Sequence, residues 1–139
     1  MVDVSQYFIE GERRLGFYQA ELARLNGIGH WTPTIPPLMV IVTNYRLLLY
    51  PQTRRKYTPA SIPARYLQSV GKVELGTFYG IRLILRTGYQ LNFVVGPKQQ
   101  QELFDDIEVM RLPPTRIRFD ETVPRQDIER LVQYLESFR

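Results

Sequence analysis

The amino-acid sequence predicts a mainly β protein with α: an antiparallel β-barrel of about seven strands capped by a helix, plus a C-terminal strand-helix extension. Three observations carry that expectation. Apolar runs of strand character recur between Leu38 and Val95, divided by Gly, Pro and Asn turn signals. Gly96-Pro97 then opens an amphipathic helix, proline being tolerated at a first helical position because its missing donor would be unpaired there anyway. Beyond Pro113-Pro114 a second helical stripe follows. Contiguous strands followed by a helix indicate an antiparallel sheet and not alternating βαβ units. The chain has 139 residues, 44% of them hydrophobic, enough for one domain with a real core and too few for two. The expected division is a barrel domain with its capping helix over residues 10–111 and an extension over 112–139.

Each element has its own signal. Gly11 to Leu25 fits two periods: Leu15, Phe17 and Gln19 alternate as in a strand, while Leu15, Tyr18, Leu22 and Leu25 also fit a helical face, and the topology favours the strand. Asn26 to Pro37 holds two glycines and three prolines in its core stretch, so it is expected as a mobile surface loop. Leu38 to Tyr50 is nearly continuous in Val, Ile, Leu and Tyr and is expected as one curved strand, covered in part on both faces. Pro51 to Lys56 turns the chain, a strand follows over about Tyr57 to Ile62, Pro63 stops it, and another runs over roughly Ser69 to Leu75. Gly76 to Gly80 is expected as a loop. Ile81, Leu83 and Leu85 then face one way with Arg82, Ile84 and Arg86 opposite, and Thr87-Gly88 marks a hairpin into Leu91, Phe93 and Val95.

Leu103, Phe104, Ile107 and Met110 form the apolar stripe of the capping helix. Thr115 to Phe119 is expected as a short extended segment. A last helix from Pro124 carries Ile128, Leu131, Val132, Leu135 and Phe138 on one face. That stripe needs cover, either from its own barrel or from a second subunit, and the chain is accordingly expected as a monomer or a homodimer.

Composition removes several kinds of chemistry. With no cysteine, disulfide scaffolds, thiolate metal sites and cysteine nucleophiles are excluded, and a reducing cytoplasmic setting fits best. One histidine leaves no His-based metal site or catalytic dyad. The longest apolar run is broken by Asn44 and Arg46 and is too short to span a bilayer, and the opening Met-Val-Asp-Val has no secretory pattern. Asp105 and Asp106, adjacent on the expected helix, diverge by about 100° and cannot face one another as acid and base; both are expected in solvent. No phosphate-cradling glycine loop and no metal-ligand spacing is present. No catalytic residue, cofactor or metal is expected, and the chain is not expected to be an enzyme.

The run Val40-Ile41-Val42-Thr43-Asn44-Tyr45-Arg46-Leu47-Leu48-Leu49-Tyr50, then Ser61-Ile62-Pro63, then the helix after Gly96, resembles the GRAM and bacterial pleckstrin-homology-like domains. The resemblance implies the PH superfold, a bent seven-stranded barrel of two near-orthogonal sheets closed at one end by the helix. It also implies binding to acidic phospholipid headgroups or to proteins. In the residues themselves, Thr43 bonds locally, Asn44 tolerates an irregular backbone, Arg46 holds neighbouring carbonyls and Pro63 ends a strand, which are architectural roles.

Function is then expected at the surface. The net charge is +4, from 18 basic and 14 acidic residues, 15 of the basic ones arginine. Their one dense cluster is Arg54, Arg55 and Lys56 at an expected hairpin tip, suited either to phosphate contact or simply to a solvated, aggregation-resistant edge. Trp31, beside His30, either enters a membrane interface or anchors a partner, or folds over the barrel mouth as a lid. Phe78 and Tyr79 form a second aromatic loop. The leading expectation is a non-catalytic binding module using protein contacts or weak binding to anionic membrane surfaces, in the cytoplasm or peripheral to the inner membrane face. The alternative is a nucleic-acid-binding β-barrel in which Trp31, Tyr45, Phe78, Tyr79 or Tyr89 stack bases.

Overall fold

The computed structural model describes residues 4–33, 37–52 and 59–112, together with Gln133. After a 3-10 turn, Val4–Tyr7, come β1 (Arg14–Leu25), β2 (Trp31–Pro33), β3 (Leu38–Thr43), β4 (Arg46–Pro51) and β5 (Ala60–Pro63). A second 3-10 turn, Ala64–Tyr66, leads to β6 (Leu67–Leu75), β7 (Phe78–Leu85), β8 (Gln90–Val94) and α1 (Pro97–Met110). The strands run β5-β4-β3-β1-β8-β7-β6, and β2 pairs with the end of β1. All these pairings are antiparallel. The path does not close: β5 and β6 are its two ends. The expected barrel is therefore an open, bent sheet whose core is sealed by the helix.

The bend is made by β1. Its first half pairs with β3, from Arg14↔Thr43 to Ala20↔Leu38, and its second half pairs with β8 at Glu21↔Val94 and Leu22↔Phe93. A register shift between Arg14 and Gly16 inserts Leu15 as an extra residue, so the strand alternation predicted from Leu15, Phe17 and Gln19 breaks there. Leu15, Tyr18, Ala20 and Leu22 all pack on the main core, whereas Phe17 turns to the opposite face.

Residues 38–50 form a hairpin, not one curved strand. Thr43 supplies the reversal: its Oγ1 accepts from Tyr45 N at 3.1 Å and Arg46 N at 3.0 Å, giving the backbone a local alternative to the sheet ladder. Both strands are buried on both faces, which explains the unbroken apolar run. Leu38, Val40, Val42, Leu47 and Leu49 enter the main core, and Met39, Ile41, Leu48 and Tyr50 form a separate cluster on the outer face with Tyr7, Phe8 and Phe17.

Two other loops are shorter than expected. Trp31 to Pro33, placed by sequence in a loop, forms β2 against Ala23 to Leu25, and Pro33 is accommodated because β2 is an edge. Phe78 and Tyr79 belong to β7, since Leu75 pairs directly with Phe78 across Gly76-Thr77, and Gly76 takes a φ of +63° that favours glycine. Gly88 does the same between β7 and β8 with a φ of +86°.

The helix begins at Pro97, as its sequence signal indicates, and lays Leu103, Ile107 and Met110 into the core, each burial stabilising by roughly 1.5–3 kcal/mol. Gln100 Nε2 fixes its first turn by donating to Gly80 O at 3.0 Å and Val73 O at 3.2 Å. Lys72 lies 5.4 Å from the Phe104 ring and donates to Gln101 Oε1 at 2.6 Å. Asp106 is not simply solvated: it is partly buried and accepts from the Tyr18 hydroxyl. The extended segment 115–119 and, except for Gln133, the helix from Pro124 lie outside the described residues.

Candidate binding surface

The Thr43-Asn44-Tyr45-Arg46 turn holds the N-terminal segment in place. Arg46 grips Glu12 bidentately, Nε to Oε2 and Nη2 to Oε1, both at 2.9 Å, and Nη2 also donates to Tyr7 O at 2.7 Å. Its Nη1 donates to Ser61 Oγ at 3.1 Å. Thr43 Oγ1 donates to Glu12 Oε2 at 2.6 Å, and Ile9 N donates to Oε1 at 3.0 Å. The Glu12 side chain has no solvent exposure. Burial alone pushes its carboxyl up, but the hydrogen bonds from Arg46, Thr43 and Ile9 and the Arg46 charge outweigh that and hold it below its usual value. Asn44 exchanges backbone bonds with the same segment: Arg13 N donates to its Oδ1 at 2.8 Å and its Nδ2 donates to Gly11 O at 3.1 Å. Pro63, the last residue of β5, lies opposite Arg46. With every one of these groups turned to protein, the turn offers a ligand little.

The β1–β2 hairpin tip is different. Asn26 organises it: Oδ1 accepts from Ile28 N at 3.0 Å and His30 N at 2.9 Å, while Asn26 N donates to His30 O at 2.8 Å. Gly29 adopts a φ of +84° and donates to Asn26 O at 3.1 Å. This asparagine-centred turn thrusts Ile28 outward, 78% exposed between two glycines. Leu25 is 51% exposed and pairs with the partly buried Trp31, and Arg24 and His30 are exposed alongside. An apolar knob with cationic neighbours results. The sequence pointed to Trp31 but not to Leu25 or Ile28, although an isoleucine between two glycines in Asn-Gly-Ile-Gly is a readable signal.

Strand register sets what lies near that tip. Because β1 and β8 are antiparallel, the end of β1 and the start of β8 lie on one side, with exposed Arg86 just before the Thr87-Gly88 turn. Gln52 N donates to Pro37 O at 2.9 Å, so the chain also leaves β4 there. Arg54, Arg55 and Lys56 follow in sequence between β4 and β5 and lie outside the described residues. Phe78 and Tyr79, both exposed, begin β7 beside the Gly76-Thr77 turn, at the opposite end of that strand from Arg86. The structure therefore does not bring Trp31 together with Phe78 and Tyr79. Tyr45 is engaged elsewhere, its hydroxyl 3.4 Å from Glu10 O. Among the described residues, no cluster of three or more His, Cys, Asp and Glu side chains is placed to hold a metal. No described helix is long and apolar enough to cross a membrane.

The order of strands and the sealing helix are those of a PH-like fold. A pleckstrin homology domain solved in solution superposes with a TM-score of 0.53 at 11% identity, covering 80% of this chain and all (100%) of that one. The C-terminal domain of an unknown protein from Leishmania infantum superposes with a TM-score of 0.51 at 12% identity, covering 72% of this chain and 85% of the other. At such identities the likeness establishes the fold. No family model and no curated protein matches the chain.

Proposed function

We propose that the chain is a non-catalytic binding module of the PH superfold that attaches weakly to anionic membrane surfaces through its β1–β2 tip. The observation that carries this reading is the projection of Ile28 from a turn held by Asn26, flanked by Leu25, Trp31 and Arg24. A convex apolar tip held by its own hydrogen bonds enters a bilayer interface at little ordering cost. Tryptophan suits that boundary because its ring is amphipathic. Each basic side chain near an anionic leaflet adds about 1 kcal/mol, and immersing Ile28 adds about 2 kcal/mol. Arg24, Arg86 and the run Arg54, Arg55, Lys56 supply the cationic part, and the inner face of the membrane is the matching surface. The resemblance of Thr43 to Leu47 to GRAM-like domains belongs to the same reading.

The nucleic-acid alternative requires a row of stacking aromatics, but Trp31, Tyr45 and the Phe78-Tyr79 pair are dispersed over different ends of the sheet, and Tyr89 is partly buried against the main core. A protein partner at Phe78 and Tyr79 is compatible with membrane attachment at the other end. Co-sedimentation of the full chain with neutral phosphatidylcholine vesicles and with vesicles containing phosphatidylserine tests the proposal. Binding to the anionic vesicles alone, weakened by salt and by Ile28→Asp, is expected. Equal, negligible sedimentation with both would end it.

A further inference from the structure

We propose that the chain self-associates through the open edge of β6, two copies pairing antiparallel about a two-fold axis at Val73 so that Lys72 of each lies opposite Glu74 of the other. β5 and β6 are the two ends of the strand path. β5 has four residues and finishes on Pro63, whereas β6 has nine, and β7 is the only strand beside it among the described residues. A long strand with one free side is a ready template for another strand.

The groups that face this side follow from the ladder, because residues of an antiparallel strand alternate between meeting the partner and pointing away from it. Val95 N donates to Tyr79 O at 3.0 Å and Leu85 N donates to Tyr89 O at 2.9 Å. Tyr79 and Leu85, and by alternation Ile81 and Leu83, therefore turn their backbone groups to β8. Opposite Tyr79, Ile81 and Leu83 on β6 stand Glu74, Lys72 and Val70, whose N–H and C=O groups are left on the open edge. The Lys72 and Glu74 side chains are exposed as well. At the far end Arg111 Nη2 holds Gln68 O at 3.2 Å, and a register shift between Leu67 and Ser69 breaks the run.

Two such edges bond only where edge-facing residues stand opposite one another. Centring on Lys72 or on Glu74 sets like charges face to face, which destabilises a cross-strand pair. Centring on Gly71 sets Glu74 opposite Gln68, whose carbonyl Arg111 already holds. Centring on Val73 matches Lys72 with Glu74 twice on one face and brings the two partly buried Val73 side chains together on the other. Lys72 is already steadied by Gln101 Oε1 and the Phe104 ring, so it loses little freedom on pairing. A contact confined to one strand is smaller than a permanent dimer interface, so association should depend on concentration. The β6 edge is a different surface from the β1–β2 tip, and the membrane reading is not needed for it.

Sedimentation equilibrium of the full chain, taken up to millimolar concentration, tests the proposal. The parent should dimerise as concentration rises. Lys72→Glu and Glu74→Lys should each weaken dimerisation on the order of tenfold by opposing like charges. An equimolar mixture of the two variants should recover it, because their edges complement each other, and recovery shows both to be folded. Amide exchange at Lys72 and Glu74 should slow with concentration, while that at Gly71 and Val73, which face β7, stays constant. A parent that remains monomeric, a dimer indifferent to both single variants, or losses that the mixture does not recover would each overturn the proposal.

Discussion

The Tyr18 hydroxyl donates to the Asp106 carboxylate, tying the middle of β1 to the third turn of α1. Burial raises the Tyr18 ionisation above its ordinary value of 10.0, and the Asp106 hydrogen bond, the Asp106 charge and the charges of Glu102 and Asp105 push the same way. Because the folded value is the higher one, the contribution is whole below pH 10.0 and is lost as pH climbs past it, the unfolded chain ionising first. Tyr18→Phe should cost about 1–3 kcal/mol at neutral pH by stranding a partly buried acceptor. Urea unfolding should show a lower midpoint with unchanged slope. The variant should also lose less of its remaining stability than the parent between neutral pH and strongly alkaline conditions.

Gly16 makes that contact possible. A Cβ there would collide with the Asp106 carboxylate and sit 2.7 Å from the Tyr18 ring, so both side chains would have to move and their contact would be disturbed. Gly16→Ala should destabilise by roughly 1–3 kcal/mol through overpacking. Shortening the obstructing side chain with Asp106→Ala should recover part of that loss, so the double variant should unfold at higher urea than additivity of the single variants requires.

The buried pair of Glu12 and Arg46 should behave asymmetrically. Arg46→Leu leaves a carboxylate with no access to water and without its bidentate partner, at a cost of roughly 3–5 kcal/mol. Glu12 has a lowered ionisation, so its stabilising effect is present above its ordinary value of 4.5 and disappears as pH falls through the lower folded value. Thermal melts from pH 7 downward should therefore drop below about pH 4 in the parent. In Arg46→Leu the melting temperature should already be low at pH 7 and should fall less on acidification.

The parts of this architecture visible in sequence were those set by local chemistry. Pro97, Gly88 and the alternation of Ile81, Leu83 and Leu85 each encode their element in a few neighbouring residues, and each element formed where those residues stand. The hairpin at Thr43 was hidden because β3 and β4 are buried on both faces, which erases the polar break that normally announces a turn. The partnership of Glu12 with Arg46 spans 34 positions and that of Tyr18 with Asp106 spans 88, so neither leaves a local pattern. At the binding surface, Trp31 stood out by residue type. Ile28 did not, although its place between two glycines was readable, because an isoleucine is an ordinary core type and only the asparagine-centred turn makes it a projecting one. The strand number, antiparallel order and sealing helix formed as expected, while the two ends of the path, β5 and β6, do not meet, which neither the strand count nor the resemblance fixes.

The chain's single tryptophan is Trp31, on the tip proposed to meet the membrane, so its fluorescence reports on that contact without added labels. If the tip enters the interface, emission should shift to the blue on addition of vesicles containing phosphatidylserine and revert with salt, because the cationic contribution is screened within a Debye length of about 10 Å at 0.1 M. Ile28→Asp removes about 2 kcal/mol of apolar transfer and should weaken the titration roughly 30-fold. An alanine at Asn26 should weaken it less, because the knob survives while the turn that stiffens it loses the Oδ1 acceptor of two backbone amides. A blue shift that is undiminished in Ile28→Asp would mean that Trp31 responds to something other than insertion of this tip, and the assignment of the surface would fail even if the protein still bound vesicles.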